Sequence, residues 1–306
     1  MLAAMTQPAE TRRPPAETRR ERAARRAGEF PPPAAPLPVP VIDSHTHLDL
    51  TAAEPQAPGH GGGRDPVGEL VCAAAAVGVD RLVQVGVDLD SSRWGAELAT
   101  RVPAVLATVA LHPNEAPRLA DLDEALRGIE ALAGAERVRG IGETGLDHFR
   151  TGPDGRAAQE ASFRAHIAIA KRYGKPLIIH DRDAHADVLR VLDAEGAPDT
   201  VVMHCFSGDA EFAADCVRRG FVLSFAGTVT FANASALRAA AQITPTDQLL
   251  VETDAPYLTP VPNRGRPNAS YLIPDTVRSL AATIGTDLDE LCAAISATGD
   301  RVFGPW

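Results

Sequence analysis

Short runs of Val, Ile and Leu alternate eight times with longer helical stretches along residues 39–306, and that alternation confines the chain to few architectures. Parallel strands cannot be joined by tight turns; each needs a crossover, usually a helix. The strand segments read from the sequence are Val39–Asp43, Arg81–Val87, Val105–Ala110, Val138–Gly142, Leu177–His180, Val201–His204, Phe221–Phe225 and Leu249–Glu252. Helical stretches lie between them, at Pro66–Val77, Ser91–Arg101, Leu119–Ala133, Gln159–Tyr173, Ala184–Ala194, Ala210–Arg219 and Ser235–Gln242. A last helical pair, Pro274–Ile284 and Asp287–Ser296, follows strand eight. Eight βα units in a domain of roughly 250 residues is the pattern of an α/β (β/α)8 barrel, the TIM barrel. A doubly wound open sheet is the alternative, but no G-x-G-x-x-G turn follows the first strand.

Residues 1–38 are rich in Arg, Ala, Glu and Pro, and the proline run at their end blocks both helix and sheet pairing. They read as a disordered tail, a solvated extension rather than a nucleic-acid-binding arm, which leaves residues 39–306 as a single barrel domain. The glycine-rich stretch at 58–63 fits no phosphate-binding spacing and reads as a flexible loop tip with His60 exposed. A formal net charge of -10 means that the surface as a whole repels phosphate backbones, so a nucleic-acid substrate needs a local basic patch or metal ions. The four cysteines form no C-x-x-C pair and read as free thiols of a reduced, cytoplasmic protein. No apolar run approaches the roughly 20 residues that span a membrane. The arginines near the N-terminus lack the apolar stretch of a secretory signal. A monomer with no obligate protein partner is expected.

Active sites of such barrels lie at the C-terminal ends of the strands. Strand one ends at His45 and His47, two residues apart and therefore on one face of an extended segment. Strand four ends at Glu143, strand five at His180, strand six at His204 and strand eight at Asp254. Four histidines and two carboxylates thus gather at one end of one barrel. Packing does not explain such a set, because charged groups are seldom buried unpaired. It suits one or two divalent cations, with a carboxylate able to bridge two.

The motifs themselves are specific. His45-Thr-His47, Gly142-Glu143-Thr-Gly-Leu-Asp147, Ile179-His180-Asp-Arg-Asp183-Ala, His204-Cys-Phe-Ser-Gly208 and Glu252-Thr-Asp254-Ala-Pro-Tyr-Leu258 resemble those of the TatD family, over roughly residues 40–304. That family consists of metal-dependent deoxyribonucleases among the amidohydrolase-like barrels. The resemblance implies His45, His47 and Asp254 on a first metal, His180 and His204 on a second, and Glu143 bridging both. It does not fix the cation, which the ligand chemistry leaves as Mg2+, Mn2+ or Zn2+. His148 stands where the family often has an aromatic residue. Arg266-Pro-Asn268 replaces the usual Arg-Asn-Glu-Pro, and Thr298-Gly299 replaces an Asn.

The implied activity is metal-assisted hydrolysis of a phosphodiester in single-stranded or frayed DNA, with Asp254 as ligand and general base. Hydrolysis of a lactone, phosphotriester, amide or tRNA-linked bond is the rival enzymatic reading, and a non-catalytic barrel the third. Related barrels of the second kind often carry a carboxylated lysine after strand four, where this chain has Glu143 and no lysine nearby. His112, Arg182, Arg264 and Arg266 are candidate substrate contacts, set against ordinary loop packing, salt bridging and solubilising charge. Asp43 reads either as a partner orienting an imidazole or as a strand-end cap. His166 and His185 fall in helices and read as surface or packing residues. Cys205 reads as core, pointing away from the face of His204.

Overall fold

The eight apolar segments pair as parallel strands in chain order: β1 (Val41–Thr46), β2 (Val79–Val85), β3 (Val105–Val109), β4 (Val138–Asp147), β5 (Leu177–Arg182), β6 (Val201–Met203), β7 (Val222–Phe225) and β8 (Leu249–Val251). The computed structural model describes residues 28–60 and 65–306. The sheet closes where the chain leaving β8 meets β1. The Asp254 N–H donates to the His45 carbonyl at 2.9 Å, and the His47 N–H to the Ala255 carbonyl at 3.0 Å. This is the TIM barrel expected from the sequence. Its strands are covered on both sides, which is why they read as nearly continuous apolar runs.

Helices wrap the barrel in the expected places. After a short α1 (Leu48–Ala53) come α2 (Pro66–Ala76), α3 (Leu89–Arg101), α4 (Leu122–Ala133), α5 (Pro153–Tyr173), α6 (His185–Glu195), α7 (Ala210–Arg218), α8 (Ser235–Ile243), α9 (Ile273–Ile284) and α10 (Leu288–Phe303). Aspartate side chains start many of them: Asp88, Asp121, Asp209 and Asp287 each accept first-turn N–H groups. Among the described residues no helix is long and apolar enough to cross a membrane, and all four cysteines are free thiols.

Two strands differ instructively from their sequence outlines. β4 runs on past Gly142 to Asp147, and its register against β5 shifts between Ile141 and Thr144, so Glu143 lies within the strand. Glycines permit this close approach to β5. A Cβ on Gly142 would come within 2.5 Å of the Ile178 Cβ, and one on Gly145 within 2.1 Å of the His180 carbonyl oxygen. β6 stops at Met203, and Cys205 turns into the left-handed region (φ 44°). Cys205 is therefore a half-buried turn residue rather than a strand residue facing the core.

Residues 28–38, assigned from their composition to the tail, lie along the seam between the first and last βα units. The Arg266 guanidinium donates to the carbonyls of Glu29 and Phe30, and the Tyr271 hydroxyl donates to that of Pro31. Arg278 donates to the carbonyls of Ala35 and Pro36, and the Leu37 N–H donates to the Val77 carbonyl. The segment thus descends from the loop after β8 to the end of α2 before entering β1. Its composition offers little apolar periodicity; its backbone carbonyls hold it. The rest of the expected tail, residues 1–27, and the glycine-rich positions 61–64 lie outside the described residues, while His60 is exposed as expected.

Candidate metal centre

All six strand-end residues converge in the barrel mouth. Glu143 is their hub, and its two oxygens face different neighbours. Oε1 lies 2.6 Å from His180 Nδ1, 3.3 Å from His204 Nε2 and 3.4 Å from His112 Nε2. Oε2 lies 3.5 Å from His45 Nε2. On that second side, Asp254 Oδ1 stands 3.4 Å from His47 Nε2 and 3.9 Å from His45 Nε2. The backbone of Asp254 is left-handed (φ 53°), a conformation aspartate tolerates better than most residues, as the chain turns out of the barrel.

Surrounding groups orient these side chains. His47 Nδ1–H donates to the Val85 carbonyl at 3.2 Å, which leaves Nε2 free to face the cluster. His204 Nδ1 is 2.8 Å from Glu252 Oε1, which also accepts the Cys205 N–H at 2.9 Å. His180 Nε2 is 3.3 Å from Asp147 Oδ2. Asp147 in turn accepts hydrogen bonds from the Asn114 amide and the Arg150 N–H. Sequence reading missed the parts of Glu252 and Asp147. One signal was present, because Glu252 and Asp254 are two carboxylates two residues apart at a strand end.

Charge is balanced inside the cluster. Burial opposes ionisation of Glu143, yet the imidazoles of His112, His204 and His180 outweigh it and hold its carboxyl well below the usual range. Asp254 is lowered in the same way, with His47 as the main opponent of burial. Burial likewise disfavours charge on His204, but Glu252 and Glu143 raise it well above the ordinary value. His180 rises to about 9, because contacts with Asp147 and Glu143 overcome its desolvation. His45 goes the other way, lowered by burial and then by the neighbouring His204.

Which residues could hold a metal follows from geometry. Nitrogen and oxygen donors of His45, His47 and Glu143 lie within 4.8 Å of one another, as do those of His112, Glu143 and His180, and those of His45, His204 and Glu252. His45 is fully buried, and neither ring nitrogen has a hydrogen-bond partner. A buried polar atom left without a partner is costly, and a cation would complete it. Imidazole and carboxylate together form a donor set that fits a divalent metal.

The remaining candidates divide. His112 joins the cluster through Glu143. Arg182 and Arg264 stand on the barrel face with their guanidinium groups over aromatic rings, 4.0 Å from the Phe149 centroid and 4.2 Å from that of Phe231. Arg266 is engaged by the carbonyls of Glu29 and Phe30, so its candidacy as a substrate contact gives way to a role in holding the seam segment. Asp43 orients no imidazole. It accepts the backbone N–H and hydroxyl of Thr253 at 2.9 and 2.6 Å and the His45 N–H at 3.3 Å, latching β8 to β1. His166 is a buried packing residue, and His185 is half-buried, its Nδ1 2.7 Å from Asp181 Oδ2.

Comparison with known proteins gives one consistent answer. A family model described as TatD related DNase matches residues 42–304. A Mycobacterium tuberculosis protein named "Uncharacterized metal-dependent hydrolase TatD" is 46% identical over 268 residues, covering 86% of this chain and 98% of that protein. The "3'-5' ssDNA/RNA exonuclease TatD" of Citrobacter rodentium is 36% identical over 245 residues, covering 77% and 91%. Among solved structures, the TatD homolog YJJV of Escherichia coli superposes with a TM-score of 0.78 at 25% identity, covering 87% of this chain and 98% of that one.

Proposed function

The chain belongs to the family of TatD-related metal-dependent hydrolases, and from that premise we propose that it is a deoxyribonuclease hydrolysing phosphodiesters in single-stranded or frayed DNA. The observation that carries this reading is the division of Glu143 between two groups of donors, with one oxygen toward His45 and the other toward His180, His204 and His112. Such a carboxylate suits a bridge between two divalent cations, one held by His45, His47 and Asp254 and the other by His180 and His204. Cations there would supply Lewis acidity, which acidifies water and offsets charge on phosphoryl oxygens.

The chain's own residues supply the rest. Asp254 keeps its carboxylate ionised and a side chain 18% exposed, so it can accept the proton of an attacking water while its neighbours stay sealed. Glu252 Oε1 and Asp147 Oδ2 stand 2.8 and 3.3 Å from His204 Nδ1 and His180 Nε2, carboxylates set beside two of the proposed ligands. His112, at the edge of the cluster, is placed to contact a substrate phosphate.

The test is to strip the protein of metal, add end-labelled single-stranded DNA, and restore magnesium, manganese and zinc separately. Cleavage is expected with at least one cation, and Asp254→Asn should fold normally and lose nearly all turnover. No cleavage with any cation, alongside turnover of a lactone or phosphotriester, overturns the nuclease reading.

A further inference from the structure

The two most exposed large apolar side chains among the described residues are Phe149 (63%) and Tyr257 (55%), and both stand at the barrel mouth. Phe149 follows two residues after Asp147, which contacts His180, and Tyr257 three after Asp254, which contacts His47. They leave the ends of β4 and β8, which lie four strands apart in a ring of eight and so on opposite sides of the cluster. Exposed aromatic rings forfeit the burial that stabilises them elsewhere, and paired across one site they mark a binding surface.

The arginines beside them supply a separate observation. Many arginines of this acidic chain are ion-paired: Arg81, Arg118, Arg164, Arg190, Arg218 and Arg219 each meet a carboxylate. Arg182 and Arg264 instead lie over the rings of Phe149 and Phe231, and among the described residues neither has a carboxylate partner. Stacking fixes each guanidinium at the rim without neutralising it. Arg182 therefore brings a positive charge directly against Phe149, and Arg264 brings one to Phe231 from the loop after β8 that also carries Tyr257.

We propose that Phe149 and Tyr257 are base-stacking platforms on either side of the cluster, with Arg182 and Arg264 meeting the backbone of a single-stranded nucleic acid laid across the mouth. The inference rests on the nuclease reading and adds how the substrate is held. A base can lie on such a ring only when it is free of its neighbours in a duplex, so the platforms select single strands. Every base has a π-face, so the recognition is tolerant of sequence.

Fluorescence anisotropy on the full chain, with metal chelated to prevent cleavage, tests this. A labelled oligothymidine is compared with an abasic strand of equal length and charge. Wild type should bind the base-bearing strand about tenfold more tightly, in keeping with the stacking strength of single bases. Phe149→Ala and Tyr257→Ala should each remove a severalfold part of that preference, and Phe149→Trp should restore it. Equal affinity of wild type for the two strands, or a preference that survives both alanine substitutions, overturns the proposal. The cleavage assay above separates the two readings. Cleavage without base preference removes the platforms and leaves the nuclease, while base preference without cleavage under any metal does the reverse.

Discussion

His45 and His166 are both sealed from solvent, one in the barrel mouth and the other between α5 and the end of β3. Burial lowers the pKa of both rings, and takes His166 to about 4. Their surroundings differ. His166 Nδ1–H donates to the Ser162 carbonyl at 2.7 Å, and its Nε2 accepts the Leu111 N–H at 3.1 Å, so a single neutral tautomer satisfies the whole ring. His45 has a hydrogen-bond partner for neither nitrogen and stacks on the His204 ring at 3.5 Å. One site is complete as folded; the other is shaped for something added. Burial alone would not tell a structural histidine from a functional one, whereas the account of its hydrogen bonds does.

Removing each ring in turn separates the two histidines. His45→Ala should lower turnover more than about 100-fold, since loss of a mere orienting partner already costs roughly 10- to 100-fold. It should also reduce the rise in melting temperature that added divalent cation gives the wild type, since one of the two proposed cations loses a ligand. Metal-dependent melting followed by circular dichroism reads both proteins, and an unchanged rise in the variant would remove His45 from the metal centre.

His166→Gln should keep that metal-dependent rise and change the dependence of stability on pH. The unfolded imidazole takes up a proton below about 6.5, while the folded one resists until about 4. Its contribution is therefore complete above pH 6.5 and is lost as the pH falls toward 4, on the order of 3 kcal/mol over that window. Urea unfolding at pH 7.5 and 4.5 should show the wild type losing more stability on acidification than the variant. Parallel losses would contradict the account.

The smallest effect belongs to a residue that touches the cluster from outside. Glu252→Gln leaves the His204 ring in place but weakens its orienting partner, and should reduce metal affinity about 10- to 100-fold. Isothermal titration of the metal-free protein measures this, and an unchanged affinity would leave Glu252 as a partner of the Cys205 N–H alone.

The contrast between the two histidines also shows how far the sequence could be read. His45 was legible because it ends an apolar strand beside His47, and a barrel gathers strand ends at one mouth. His180, His204, Glu143 and Asp254 were legible on the same ground, whereas His112 was named only as a candidate substrate contact, set against loop packing. The bonds that complete His166 were not, because they join α5 to a loop backbone 55 residues away in the chain. Glu252 and Asp147 stood in recognisable motifs, but their contacts with His204 and His180 cross between strands. The extension of β4 to Asp147 was hidden for another reason: the apolar run stops at Gly142, whereas the glycines there let the strand run on close against β5. Residues 28–38 were hidden most fully, because carbonyl groups of a proline-rich stretch leave no side-chain pattern.

That seam segment also decides how the protein can be handled on a surface. Gly28 lies beside Gln56, and Glu29 and Phe30 are tied to Arg266, in the loops that follow β1 and β8, so residue 28 sits at the mouth. The Pro305 carbonyl accepts a hydrogen bond from Arg139 near the start of β4, at the far end of the barrel. Immobilisation through a tag after Trp306 would hold the barrel by its base and present an open mouth to a long polymer, while a tether fused directly at Gly28 would hold it by the mouth.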